Sequence, residues 1–236
     1  MINQEGVVSG AIDVSRVRAV LFDVDGTLSN TDDHMVDQVN RFLEPIAWLF
    51  KENNPRSFAR WFVMAMETPA NFMYDLADKI GLDGFLSRIY DLIFRRSRTS
   101  KTKDERFWII PGIREMLMVL SKKYPLGVVS ARDALTTCHF LGYFDLLQFF
   151  NVIVTSQTCK HTKPFPDPVL YAAEKLGMIS EDCLMVGDTI VDVRAGKSAG
   201  AQTVAVLCGF GTGRELKRAG VDMLLARTPD LIEILR

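Results

Sequence analysis

The chain alternates short, unbroken apolar runs with amphipathic ones. AVLFDVD (19–25), LGVVS (126–130), VIVTS (152–156), CLMVGD (183–188), QTVAVLCG (202–209) and VDMLLA (221–226) are runs of the first kind. They lack the polar alternation of a half-exposed strand and read as strands covered on both faces. Between them, PGIREMLMVLSKKY (111–124) places Pro at an expected first helical position and apolar residues at helical spacing. ARDALTTCHFLGYF (131–144), DPVLYAAEKLG (167–177), TIVDVRAGKSAG (189–200), GRELKRAG (213–220) and PDLIEILR (229–236) predict further helices. Strands and helices in strict alternation predict an α/β protein: a Rossmann-like parallel sheet with helices on both faces.

Residues 32–106 break that rhythm. Their apolar positions fall at helical spacings, as in Met35, Val39, Phe42 and Ile46, then Phe58, Phe62, Ala65 and Met66, then Phe72, Leu76 and Ile80, then Leu86, Ile89, Leu92 and Ile93. NNP (53–55), TP (68–69) and GLDG (81–84) supply the turns. The expected organisation is a loosely ordered tail (1–16), an α/β core (17–31 and 107–236) and an inserted helical bundle (32–106). At 236 residues the chain is long enough for one large domain with an insertion.

Lys and Arg total 28 against 29 Asp and Glu, so no general pull toward nucleic acid or an anionic membrane exists. The basic run RRSRTSKTKDER (95–106) has no aromatic residue within it and reads as a solvated return linker. Cys138, Cys159, Cys183 and Cys208 form no CxxC pair and have no zinc-ligand spacing; they suit a reducing compartment. The opening MINQEGVVSGAIDVSR carries acid where a signal peptide carries base, and no run is long enough to span a bilayer, so a cytoplasmic protein is expected, as monomer or homodimer.

The chemistry gathers at strand ends. In an open parallel sheet the ligand crevice lies outside the carboxyl ends of the strands. There stand Asp23 and Asp25, then Ser130 and Arg132, then Lys163 in TCKHTKPFPD, then Asp188 and Asp192 in GDTIVD. Two carboxylates at one strand tip resist joint ionisation, which calls for a raised pKa or a nearby cation. A carboxylate set with one hydroxyl and one lysine suits a divalent cation and a phosphoryl group. Each residue also has a structural reading: Thr27 and Ser130 as helix caps, Asp188 and Asp192 as cap and lining of a helix N-terminus, Lys163 as a surface residue, Arg132 as the opening of a helix. Asp23 has none, because a lone carboxylate in an apolar strand is costly without a partner. His34, His139 and His161 share no ligand spacing, and GFGTG (209–213) lacks the dinucleotide-binding spacing and reads as a loop.

In order and spacing, DVDGT, Ser130, Lys163-Pro164 and GDTIVD resemble the four motifs of the haloacid dehalogenase-like hydrolase superfamily, and the insertion resembles its C1 cap. The closing GRELKRAG, VDMLLAR and PDLIEIL are similar to phosphoglycolate-phosphatase-like members. The resemblance implies Asp23 as nucleophile, forming an aspartyl-phosphate, and Asp25 as general acid and then base. It implies that Thr27, Ser130 and Lys163 contact the phosphoryl group; Arg132 departs from the lysine often found two places after the motif-two serine, and either adds a phosphate contact or opens the following helix. It also implies Mg²⁺ held by Asp23, the backbone carbonyl of Asp25, Asp188 and, directly or through water, Asp192. Asp25 argues against the superfamily's dehalogenases and phosphonatases, which lack an aspartate there. The expected function is a Mg²⁺-dependent phosphatase acting on a small phosphorylated metabolite. A sugar-phosphate mutase of the β-phosphoglucomutase type is the enzymatic rival, and a non-catalytic binding protein on the same fold the rival from another class. Substrate choice would rest with the insertion and its aromatic residues, Trp48, Phe50, Phe58, Trp61, Phe62, Phe72 and Tyr74.

Overall fold

In the computed structural model the described residues are 7–30, 43–50, 55 and 108–236. The chain divides into two compact units, Met1–Asp33 with Phe107–Arg236, and His34–Arg106. Of the second unit, Glu44–Leu49 form a 3-10 helix with Pro45 in its first turn. The remaining helical runs expected over 32–106, and the linker over 95–106, lie outside the described residues.

The first unit is built on a seven-stranded sheet: β1 (Val7–Gly10), β2 (Ala19–Phe22), β3 (Leu126–Val129), β4 (Val152–Val154), β5 (Cys183–Gly187), β6 (Gln202–Val206) and β7 (Met223–Leu225). Their order is β1-β7-β6-β5-β2-β3-β4. All pairs are parallel except β1 with β7, where Val7 faces Leu225 and Gly10 faces Met223. The expectation of a loose tail over 1–16 is therefore corrected for the residues described. Val7–Gly10 close the sheet edge, and Val14–Arg16 form a 3-10 turn whose cap, Asp13, accepts from the Ser15 N–H at 3.1 Å. VVSG carries no strand periodicity of its own; the open edge of β7 supplies the hydrogen-bond partners that make it a strand.

The helices are α1 (Ile113–Leu120), α2 (Ala134–Tyr143), α3 (Asp167–Lys175), α4 (Ile190–Ser198), α5 (Gly213–Arg218) and α6 (Ile232–Leu235). Pro111 does not open α1 as expected. Gly112 is its N-cap, at φ 93°, a left-handed conformation that glycine adopts without a steric cost. The sheet is covered on both faces. Val20, Phe22, Val128 and Val186 pack with Ile113, Met116 and Leu117 of α1 and Phe140 of α2, while Leu21, Val129 and Met185 pack with Val169 and Ala172 of α3 and Ala195 of α4. All four β2 side chains are fully buried. This two-sided burial is why the strands show no polar alternation. Among the described residues no helix is long and apolar enough to cross a membrane.

The topology sets the position of the chemistry. From β2 the chain winds to β3 and β4 on one side, and from β5 to β6 and β7 on the other. The two directions part at β2, the switch point at which the carboxyl ends of neighbouring strands leave a crevice.

Gly127 sits opposite Leu21 and Val152 in the ladder. A Cβ placed there would lie 2.7 Å from Leu21 Cδ2 and 2.8 Å from Val152 Cγ1. Gly127→Val is expected to destabilise the fold by about 1–3 kcal/mol, the usual cost of overpacking. The urea midpoint should fall with no change in slope.

Candidate active site

The site begins where β2 ends. Asp23 continues the ladder, its N–H donating to Val186 O at 2.9 Å, and its side chain is buried. Two residues on the strand gives way to a tight turn, in which Leu28 N and Ser29 N both donate to Val24 O at 2.8 Å. Gly26 takes φ 68° within it, a conformation that leaves no steric debt only for glycine.

Lys163, expected either at the phosphoryl group or on the surface, is 4% exposed. Its ammonium contacts Asp23 Oδ1 at 2.8 Å and Asp192 Oδ1 at 2.6 Å, so the surface reading fails. Asp192 takes its structural reading and adds an ion pair. One oxygen takes the lysine, and the other accepts from Thr189 N–H at 3.0 Å and Thr189 Oγ at 2.6 Å, closing a capping box at the start of α4. Asp188 is fully buried and accepts from Phe210 N–H at 2.7 Å. Thr27, expected at the phosphoryl group, is also fully buried and directs its hydroxyl at Asp188 Oδ1, 3.4 Å away. The turn after β2 folds it inward, so it steadies a carboxylate instead. Its own carbonyl is held by Thr228 Oγ at 2.7 Å.

Ser130 is buried at the tip of β3, its N–H on Val154 O at 2.9 Å and its hydroxyl accepting from Arg132 N–H at 3.1 Å. Arg132 does not open a helix. Asp133 caps α2 by accepting from Thr136 N–H at 3.0 Å, while the Arg132 guanidinium pairs with Asp25 through Nε and Oδ2 at 2.6 Å and through Nη2 and Oδ1.

One oxygen each of Asp23, Asp188 and Asp192 lie within 4.8 Å of one another. The expected Asp25 contribution to a metal was its backbone carbonyl, and its carboxylate is engaged by Arg132. Three carboxylates and one ammonium, all buried, leave a formal deficit of two positive charges. Hard oxygen donors with that deficit fit a divalent cation such as Mg²⁺. The electrostatics of the cluster by itself point the same way. Burial, aided by Asp192 and Asp25 against the pull of Lys163, pushes Asp23 up to about 7. Burial, with Asp192 and Asp23, pushes Asp188 well above the carboxylate range. Burial alone would lower Lys163, but Asp192 and Asp23 outweigh it and hold the ammonium charged.

Three glycines that sequence reasoning missed make room for these acids. A Cβ on Gly209 would overlap the Asp188 carboxylate, one on Gly211 the Asp188 carbonyl, and one on Gly187 the Asp192 side chain. Gly211 N–H also donates to Asp188 O at 3.1 Å. GFGTG is a loop, as expected, but it is the cradle of Asp188. The close pairing of glycines after a strand was the available signal.

A mostly parallel sheet whose switch point gathers buried carboxylates, a buried lysine and a hydroxyl offers donors that fit a divalent cation and an oxyanion. Residues 20–206 match the haloacid dehalogenase-like hydrolase family, and the chain belongs to it. It is 30% identical over 222 residues to pyrophosphatase PpaX of Bacillus cereus (strain AH820), covering 93% of this chain and 97% of that one. Among solved structures it resembles a hydrolase from Pseudomonas syringae, with 25% identity, TM-score 0.65 and coverage of 92% and 97%. It also resembles a candidate β-phosphoglucomutase from Thermotoga maritima, with 24% identity, TM-score 0.63 and coverage of 93% and 98%; that likeness concerns the fold alone.

Gly209→Ala should push Asp188 aside, with Mg²⁺ affinity measured by calorimetry falling at least tenfold and the thermal midpoint falling as well, because the displaced carboxylate is fully buried. A second expectation follows from the raised carboxyls. The native state holds protons that the unfolded chain releases, so this contribution to stability is present below the unfolded value near 3.8 and is lost as pH rises through about 7 for Asp23. The roughly 1.5 pH units between 5.5 and that value correspond to about 2 kcal/mol, or about 4–8 °C in Tm. In EDTA the chain should therefore melt lower at pH 8 than at pH 5.5, and Mg²⁺ should remove most of the difference. A flat profile in EDTA would contradict it.

Proposed function

We propose that this chain is a Mg²⁺-dependent phosphatase that hydrolyses a small phosphorylated metabolite through an aspartyl-phosphate on Asp23. The observation that carries the reading is the arrangement of Asp23 at the switch point, with Lys163 on one oxygen and Asp188 and Asp192 within ligand distance. The lysine fixes the rotamer of the attacking carboxylate, and the buried surroundings strip it of competing water. Mg²⁺, held by Asp23, Asp188, the Asp25 carbonyl and, directly or through water, Asp192, would neutralise charge on the carboxylates and the phosphoryl oxygens.

In the first step an oxygen of Asp23 forms a bond to phosphorus as the bond to the leaving oxygen breaks, and that oxygen takes a proton from Asp25. In the second, water attacks phosphorus, gives its proton to Asp25, and frees phosphate and Asp23. Ser130 and Lys163 hold the transferring oxygens. The 30%-identical relative, a pyrophosphatase by name, supports transfer to water. The mutase reading draws only on a fold likeness. We assign substrate choice to residues 32–106 as a helical cap, and a reducing cytoplasmic location to a chain whose four cysteines are all free.

Asp25→Asn tests the acid and base assignment by treating two substrates unequally. A nitrophenyl ester leaves as a stabilised phenolate and needs no proton, so the variant should release one burst of nitrophenol and stall with phosphate on Asp23. An alkyl phosphate should barely react, since proton donation commonly supplies about 10²–10⁴ in rate. Rapid-mix kinetics and intact mass of the quenched protein read both effects. Equal losses with no phosphorylated protein would defeat the assignment, and an isomeric sugar phosphate in place of inorganic phosphate as wild-type product would favour the mutase.

A further inference from the structure

Arg132 is placed to do more than brace its neighbour. Its Nε donates to Asp25 Oδ2 at 2.6 Å and its Nη2 to Oδ1, while Ser29 Oγ approaches Oδ1 at 3.5 Å. Both oxygens of the carboxylate are thus engaged. A general acid must present an oxygen to the leaving atom, so this pair has to open before Asp25 can act. The arginine itself is well supported when it lets go. Its backbone N–H is fixed on Ser130 Oγ at 3.1 Å, and its guanidinium carbon sits 5.7 Å from the centroid of the Phe140 ring, which is fully buried.

The pair also differs from the other ion pairs of the site in its access to solvent. The Arg132 and Asp25 side chains are 16% and 29% exposed, against 3% and 9% for Lys163 and Asp23. A solute can therefore compete for the guanidinium. Lys163 lies buried between Asp23 and Asp192 and is already assigned to the transferring phosphoryl oxygens, so the leaving-group side falls to Arg132. A guanidinium fork matches any oxyanion with two coplanar oxygens, carboxylate and phosphate alike.

We propose that Arg132 determines specificity for substrates whose leaving group carries its own negative charge, exchanging the Asp25 carboxylate for that group. The inference rests on the roles assigned above to Asp23 and Asp25. An incoming oxyanion on the leaving-group side takes the fork, and the same exchange frees Asp25, which takes a proton from solvent water and presents it to the leaving atom. A neutral leaving group offers the arginine nothing and leaves Asp25 engaged.

The test compares pyrophosphate, a phosphate ester of a short hydroxy acid, and the phosphate ester of the matching simple alcohol. Wild-type protein should prefer one or both charged substrates in kcat/KM. Arg132→Met should lower kcat/KM for the preferred charged substrate about 10–100-fold, the scale of a lost bidentate charge-assisted contact, and lower the neutral one less. Arg132→Lys, which keeps the charge and loses the fork, should fall between, and it carries the comparison if the methionine variant does not fold. A loss confined to pyrophosphate assigns a phosphate leaving group; one confined to the hydroxy-acid ester assigns a carboxylate. Equal losses on charged and neutral substrates would overturn the proposal and leave Arg132 as a positioning residue for Asp25. Calorimetry on Asp23→Asn protein separates this from the underlying reading. There, Arg132→Met should still weaken binding of the charged ligand over the neutral one without turnover, whereas full turnover by Asp23→Asn would instead bring down the assignment of Asp23.

Discussion

One buried ammonium holds the site together. Lys163 reaches from the loop after β4 to Asp23 at the end of β2 and to Asp192 on α4, and each of these groups would be expensive to bury alone. Because the lysine touches both, three separate elements are tied at one point, and the direction of the Asp23 side chain follows from that tie. The ammonium cannot balance the whole cluster. Asp188 adds a third carboxylate, and the charge left over makes the pocket suit a divalent cation; without one, burial first and the neighbouring carboxylates second raise the proton affinity of Asp23 and Asp188.

The sheet is what makes such an arrangement possible. Asp23, Ser130 and Asp188 follow β2, β3 and β5, three adjacent parallel strands, so their side chains emerge at the same edge without long loops to carry them. Parallel pairing in register, with Phe22 opposite both Val128 and Val186, sets the level of each tip. Helices on both faces then exclude water from the strands, and that exclusion is the reason the carboxylates feel one another so strongly. The selection proposed for a charged leaving group draws on a different environment. Arg132 and Asp25 stand closer to solvent, where an ion pair is weaker and exchangeable.

Much of this was legible in the order of the residues. The unbroken apolar runs marked strands covered on both faces, and acids, hydroxyl and lysine at the ends of those runs marked the crevice. The lone aspartate after AVLF had no structural reading to compete with. Less legible were the parts that depend on close approach. VVSG (7–10) looked like a tail because its partner strand lies more than two hundred residues away. Pro111 looked like the first residue of a helix that Gly112 caps instead. Thr27 looked free to meet phosphate until the turn around Gly26 carried it beneath Asp188.

The sequence by itself determined the class of fold, the strand tips as the place of the candidate site, and the residue types gathered there, because periodicity and residue chemistry are local properties written along the chain. Only the tertiary structure decided who meets whom. That Lys163 is shared by Asp23 and Asp192, that Arg132 engages Asp25, and that Gly209 and Gly211 open the space for Asp188 are distances between residues far apart in order. Such distances are fixed by strand register and by the packing of helices against the sheet, and neither is encoded in any single segment.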